Sequence, residues 1–112
     1  MTLDEIKEFQ KKFDLQFKGN IEFYEDINET NIEPLEHLIV CMLGEFGEFS
    51  NLVKKVKRGD FSLSQAKKQI DEEFIDIFIY MIKIANQLDI DIEQSYFNKM
   101  ATNQMKFEKF LK

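Results

Sequence analysis

The chain has 112 residues, with 15 Lys and Arg against 21 Asp and Glu, a net charge of -6. That length suits one domain, large enough to bury a core without covalent staples, and a single cysteine, Cys41, excludes an internal disulfide and argues against a cysteine-based zinc site. An acidic chain lacks the electrostatic footprint of a duplex nucleic-acid binder, and the longest apolar run, Phe74 to Ala85, is broken by Asp76 and Lys83, so no membrane span is expected.

The Met-Thr-Leu-Asp-Glu start carries no signal-peptide pattern, so a reducing cytoplasm is the expected location. Four glycines and one proline are few breakers for this length and favour long helices over a turn-rich sheet. The expected fold is all-α, a four-helix bundle over residues 1–112 as a single domain. Helix one opens at Thr2, where Thr2-Leu3-Asp4-Glu5 fits a capping box. Leu3, Ile6, Phe9, Phe13 and Phe17 recur at helical spacing, and Gly19 is the expected left-handed cap. Residues 20–33 form a polar connector long enough to be a lid, or a surface segment pinned by its own Ile21, Phe23, Tyr24 and Ile27.

Helix two is expected from Pro34 to Arg58, stopped by Gly59. Helix three opens at the capping box Ser62-Leu63-Ser64-Gln65 and runs to about Leu88; helix four opens at Asp91 and runs nearly to the C-terminus. The short connectors at 59–61 and 89–91 make helices two, three and four antiparallel neighbours. The Lys54, Lys55, Lys57 and Arg58 run suits a helix C-terminus; a phosphate contact across a subunit boundary is the sharper alternative.

Two anomalies carry the chemistry. On helix two, Leu38, Met42, Glu45, Phe49, Leu52 and Val56 share one face, and Glu45 is its only acid, with Glu48 one turn away. On helix three, Phe74 to Ile82 is apolar all round except for Asp76, with Glu73 one turn before it. Antiparallel packing lets Glu45-x-x-Glu48 face Glu73-x-x-Asp76. Four carboxylates in a low-dielectric core cannot all stay ionised unaided. A divalent cation such as Mg2+ would satisfy them; pairing with lysines or facing solvent would do so too. A di-iron site fails, because it needs Glu-x-x-His on two helices and the sole histidine, His37, has Pro34 three residues before it; His37 reads as a surface or packed residue. An all-round apolar helix three also needs cover on every side, which three other helices are barely enough to give, so an obligate homodimer or homotetramer is expected.

The segments Gly44-Glu45-Phe46-Gly47-Glu48-Phe49 and Glu72-Glu73-Phe74-Ile75-Asp76-Ile77-Phe78-Ile79-Tyr80, followed by Lys99-Met100-Ala101-Thr102-Asn103-Gln104-Met105-Lys106, resemble the all-α nucleoside triphosphate pyrophosphohydrolases, the group that includes MazG, dimeric dUTPase and dCTP pyrophosphatase. The likeness is greatest to the compact MazG-like and dCTP pyrophosphatase members and covers roughly residues 35–107, within a motif-bearing core of about 34–107. It implies Mg-dependent hydrolysis of a (d)NTP between its α and β phosphates, giving a monophosphate and pyrophosphate, with Mn2+ as a substitute ion. It implies Glu45, Glu48, Glu73 and Asp76 as metal ligands, Glu45 and Glu48 as catalytic, and Tyr80, Lys99, Asn103 and Lys106 as substrate contacts. Lys99, Asn103 and Lys106 step by four and three, so they share a face that suits phosphate or, equally, solvent.

Two departures from the pattern bear on substrate. Lys106 stands where arginine is common, which removes bidentate phosphate clamping. There is no tryptophan to stack a base, leaving Phe23, Tyr24 or Phe61 for that role. The reading from another class is a non-enzymatic helical bundle that binds a protein partner.

Overall fold

A computed structural model describes all residues from Met1 to Lys112. It contains four α-helices and no strand: α1 (Leu3–Leu15), α2 (Glu33–Arg58), α3 (Leu63–Gln87) and α4 (Ile92–Lys106), then a 3-10 turn, Glu108–Phe110. The chain is an all-α single domain, and no helix is long and apolar enough to cross a membrane.

α1, α3 and α4 each start where a side chain relieves free N–H groups, whereas α2 has no side-chain cap and opens with Pro34 in its first turn. Ser62 accepts the Gln65 N–H at 3.1 Å while the Gln65 amide oxygen accepts the Ser62 N–H at 2.9 Å, a complete capping box. Asp91 accepts the Gln94 N–H at 3.0 Å. Thr2 makes only half a box: it accepts the Glu5 N–H, but its own hydroxyl donates to the Glu5 carboxylate, so the Thr2 N–H is not closed. Gly59 ends α2 in the left-handed region at φ 92, and a backbone bond from Asp60 N–H to Lys55 O completes the turn. Beyond that turn, Arg58 forks onto Asp60 at 2.6 Å, so the basic run at the end of α2 is partly engaged locally. The expected cap at Gly19 is not there. α1 stops at Leu15, Gln16 caps it in the ordinary right-handed conformation, and Gly19 donates to Ile21 O in a separate turn.

α2 and α3 form the body. The expected α2 stripe holds: Leu38 and Leu52 are buried, and Met42, Glu45, Phe49 and Val56 along the same face are half-buried. α3, packed against α2, buries Ala66, Ile82 and Ala85. The start of α2 lies by the end of α3 and the two run antiparallel, as the four-residue link predicts.

α1 packs on the other flank of α3, rotated from the face its aromatic spacing predicts. Phe9, Phe13 and Phe17 are exposed, and the inward residue is Asp14, 1% exposed. Polar anchors set this rotation. Asp14 Oδ1 accepts from Lys83 at 2.8 Å and from Gln10 at 3.0 Å, Lys7 donates to Ile90 O at 2.9 Å, and Asn86 donates to Lys7 O at 2.9 Å. The sequence stripe identified the rings correctly as one face, but charge pairing decided which face turned inward.

The connector is a strap fastened to the end of α3. Buried Gln87 accepts the Glu25 N–H and donates to Phe23 O, both at 3.1 Å, and its backbone carbonyl takes the Ile27 N–H at 2.8 Å. Ile27 is buried beneath it.

Helix three is not enclosed by its own chain: Phe74, Ile75 and Met81 are about half exposed or more, in keeping with the expected shortage of cover. One packing expectation needs correction. Helix four is not a packed neighbour of helices two and three, and none of its residues is buried. α1 already occupies the free flank of α3, and α4 offers no continuous apolar stripe with which to compete for it.

Candidate metal centre and cleft

The residues singled out by spacing come together where α2 crosses α3. One carboxylate oxygen from each of Glu45, Glu73 and Asp76 lies within 4.8 Å of the other two. Glu45 Oε2 and Glu73 Oε2 are buried and have no hydrogen-bond partner. Glu48 is exposed at the rim, near enough to press on both glutamates.

The electrostatics follow from this crowding. Burial pushes the Glu45 carboxyl above the usual carboxylate range, and Glu48, Asp76 and Glu73 push it further. Burial raises Glu73 as well, with Glu48 and Asp76 adding to it. Tyr80 is raised by burial first, then by Cys41, Glu45 and Asp76. No Lys or Arg pairs with any of the four acids, so the alternative of lysine-neutralised carboxylates finds no support.

This has a testable sign. Glu45 and Glu73 hold protons more tightly folded than unfolded, so stability of the metal-free protein falls as pH rises from 4.5 through their raised values. Urea unfolding in chelator should show a midpoint that increases on going from about pH 7 to about pH 5. A midpoint that decreases over this interval would mean that the acids are not repelling one another.

Beside the centre is a cleft of about 430 Å³ whose wall includes Glu45, Asp76, Tyr80, Lys83, Phe13 and Phe23. Phe23 is thus the one base-stacking candidate that the fold brings to the acids. Tyr24 instead bonds Asn86 O at 3.3 Å, and Phe61 is absent from this wall. The Lys83 ammonium sits 5.0 Å from the Phe23 ring centre and 5.9 Å from that of Tyr80. Sequence reasoning passes over Lys83 and its buried partner Asp14. The available signal was a lysine inside an apolar run, which must find a buried acid or leave the core. A larger hollow of about 560 Å³ lies between the strap and the start of α2, but it contains none of the four acids.

The α4 residues are elsewhere. Lys99 and Lys106 are exposed and Asn103 is half-buried against Met100, with Nδ2 at 4.0 Å from its sulfur. None of the three lines the cleft. His37 is exposed, 3.5 Å from Cys41 Sγ, and is remote from any ligand set.

No protein-family model matches the chain, and no solved structure matches it. The Gene 37 protein of Mycobacterium phage L5 is 32% identical over 79 residues, an alignment spanning 66% of this chain and 69% of the phage protein. Its name states no activity. Identity and coverage at that level place this chain in the same family as the Gene 37 protein of Mycobacterium phage L5.

Proposed function

We propose that this protein is a Mg-dependent nucleoside triphosphate pyrophosphohydrolase, cleaving a (d)NTP between its α and β phosphates, and that it works as a homodimer or homotetramer. The observation that carries the reading is the pair of buried, unpartnered carboxylate oxygens on Glu45 and Glu73, grouped with Asp76 at the mouth of an aromatic cleft. Unpaired buried acids are costly without a cation. Hard oxygen donors with room for water and phosphate suit Mg2+, with Mn2+ as a substitute. The motif order shared with the MazG-like hydrolases supports the same assignment.

Glu45, Glu73 and Asp76, with Glu48 at the rim, would hold the ion, which when bound offsets phosphate charge and activates water. The remaining steps belong to the chain's own groups. Glu45 and Glu48 would hold the attacking water and take its proton, the basicity of Glu45 raised by its burial and by the neighbouring acids. Phe23 and Phe13 give a base or sugar an apolar wall, and Tyr80 lines the same space. Lys99, Asn103 and Lys106, which lie outside the cleft within one chain, are the donors that the resemblance assigns to the triphosphate tail.

The test is pyrophosphate release from a mixed NTP and dNTP panel. Turnover is expected with Mg2+ or Mn2+, and not with Ca2+ alone, which prefers more ligands at longer distances. Full activity in excess chelator, or none on any nucleotide, would defeat the reading. The partner-binding alternative draws on the large exposed apolar surface, but it leaves the two buried carboxylates without a cause.

A further inference from the structure

The cleft is polar at both ends and aromatic between. Asp76, Tyr80 and Lys83 follow one another by four and three along α3 and line one wall. Lys83 is two helical turns beyond Asp76, which places it about 10 Å along the helix axis from the acids. The rings of Phe13, Phe23 and Tyr80 line the same space. A triphosphate held at the acids by an ion sends its base along this path, so the far edge of the base meets what stands at the Lys83 end.

At that end one buried side chain sets two others. Asp14 Oδ1 accepts from the Lys83 ammonium at 2.8 Å and from Gln10 Nε2 at 3.0 Å. Lys83 and Gln10 both line the cleft. A carboxylate only accepts, so it turns the Gln10 amide with its nitrogen toward Asp14 and leaves the amide oxygen over. That oxygen takes no hydrogen bond within the chain. An ammonium has three N–H donors, and the bond to Asp14 uses one of them. The end of the cleft thus carries a donor and an acceptor as neighbours. It is also close to neutral, because Asp14 offsets the lysine charge. A neutral pair suits an uncharged polar edge and exerts little pull on a phosphate tail.

We propose that Lys83 and Gln10 read the base: the Lys83 ammonium donates to a keto oxygen, the Gln10 oxygen accepts the adjoining ring N–H, and Asp14 positions both. The substrate class is a nucleoside triphosphate whose base sets a keto oxygen beside a ring N–H, as guanine, hypoxanthine, uracil and thymine do. Adenine and cytosine carry an amino group and a bare ring nitrogen at those two places, which sets donor against donor and acceptor against acceptor. Lysine reads the keto oxygen of guanine in the same way at base edges in nucleic acids. The assignment rests on the nucleotide-hydrolysing reading and narrows it to a class of base.

The test compares matched pairs that share a ring, dITP with dATP and dUTP with dCTP, each with Mg2+. A hydrogen bond to a charged group is typically worth about ten- to a hundredfold, so kcat/KM should be higher by about that factor for the keto member of each pair. Two variants locate the preference. Asp14→Leu with Lys83→Met removes the ammonium without stranding its partner. Gln10→Leu removes the acceptor and leaves the ion pair in place. Both should lose efficiency on the keto nucleotides alone, through KM, so that the members of each pair become nearly equal. A purely structural role would lower all four nucleotides alike, and that result overturns the proposal. So does a wild type that treats the pairs equally or prefers the amino members. If the double variant does not fold, the Gln10 variant decides. Turnover of no nucleotide at all is a separate result: it defeats the hydrolase reading, and the base contact falls with it.

Discussion

Asp76→Asn should leave the metal-free protein as stable as wild type or more so, while abolishing its response to magnesium. The substitution keeps the shape of the side chain and removes one of the charges that raise Glu45 and Glu73. No cation depends on Asp76, since none of the ion pairs includes it. Repulsion is therefore relieved and no buried positive charge is stranded. In wild type, magnesium at about 100 times its Kd adds about 2.7 kcal/mol to stability by binding only the folded state. With one of three close carboxylates gone, most of that gain should vanish, and hydrolysis should fall to near background. The measurement is thermal unfolding of both proteins in chelator and in saturating magnesium. A large loss of stability in chelator, together with an undiminished magnesium shift, would remove Asp76 from any metal site.

Lys83→Met carries the largest stability effect in the opposite sense. Asp14 is fully buried at its side chain, and the Lys83 ammonium 2.8 Å away is its only charged partner, itself 12% exposed. The second oxygen of Asp14 is already without a partner. Removing the lysine strands a buried carboxylate, which typically costs about 3–5 kcal/mol. For a domain of this size that corresponds to a fall in Tm of about 12–20 °C. Replacing both members, Asp14→Leu with Lys83→Met, should recover most of the loss, because two apolar side chains bring no unpaired charge. Equal destabilisation by the single and double variants would show that the pair is not what fastens α1 to α3.

The two halves of the structure differ in how far they could be read from sequence. Helix boundaries at Ser62, Gly59 and Asp91 were legible because capping depends on local residue chemistry alone. The acidic centre was legible because Glu45 and Asp76 break apolar faces whose period is unambiguous. The facing of α1 was not, because the aromatic stripe and the Gln10–Asp14 edge are adjacent on the helix. Distant partners decide between them: Lys83, 69 residues beyond Asp14, with Asn86 and Ile90 on Lys7. The position of α4 was not legible either: a short link fixes proximity of helix ends, not the packing of helix faces, and a helix with polar and apolar side chains interspersed has no single face to bury.

The strap has a kinetic consequence. One side chain, Gln87, holds both Phe23 O and Glu25 N–H, and its backbone holds Ile27. These bonds join residues 60 to 64 positions apart, so the strap cannot close until α3 is complete to its last turn. Fraying of that turn removes these three bonds together and leaves Phe23, whose ring walls the cleft, held by its backbone bond to Phe17 O and by the Phe17 and Lys83 side chains. The free energy of the last turn of a helix thus sets how often the cleft widens, and residues near 87, well away from the four acids along α3, govern the exchange of whatever occupies it.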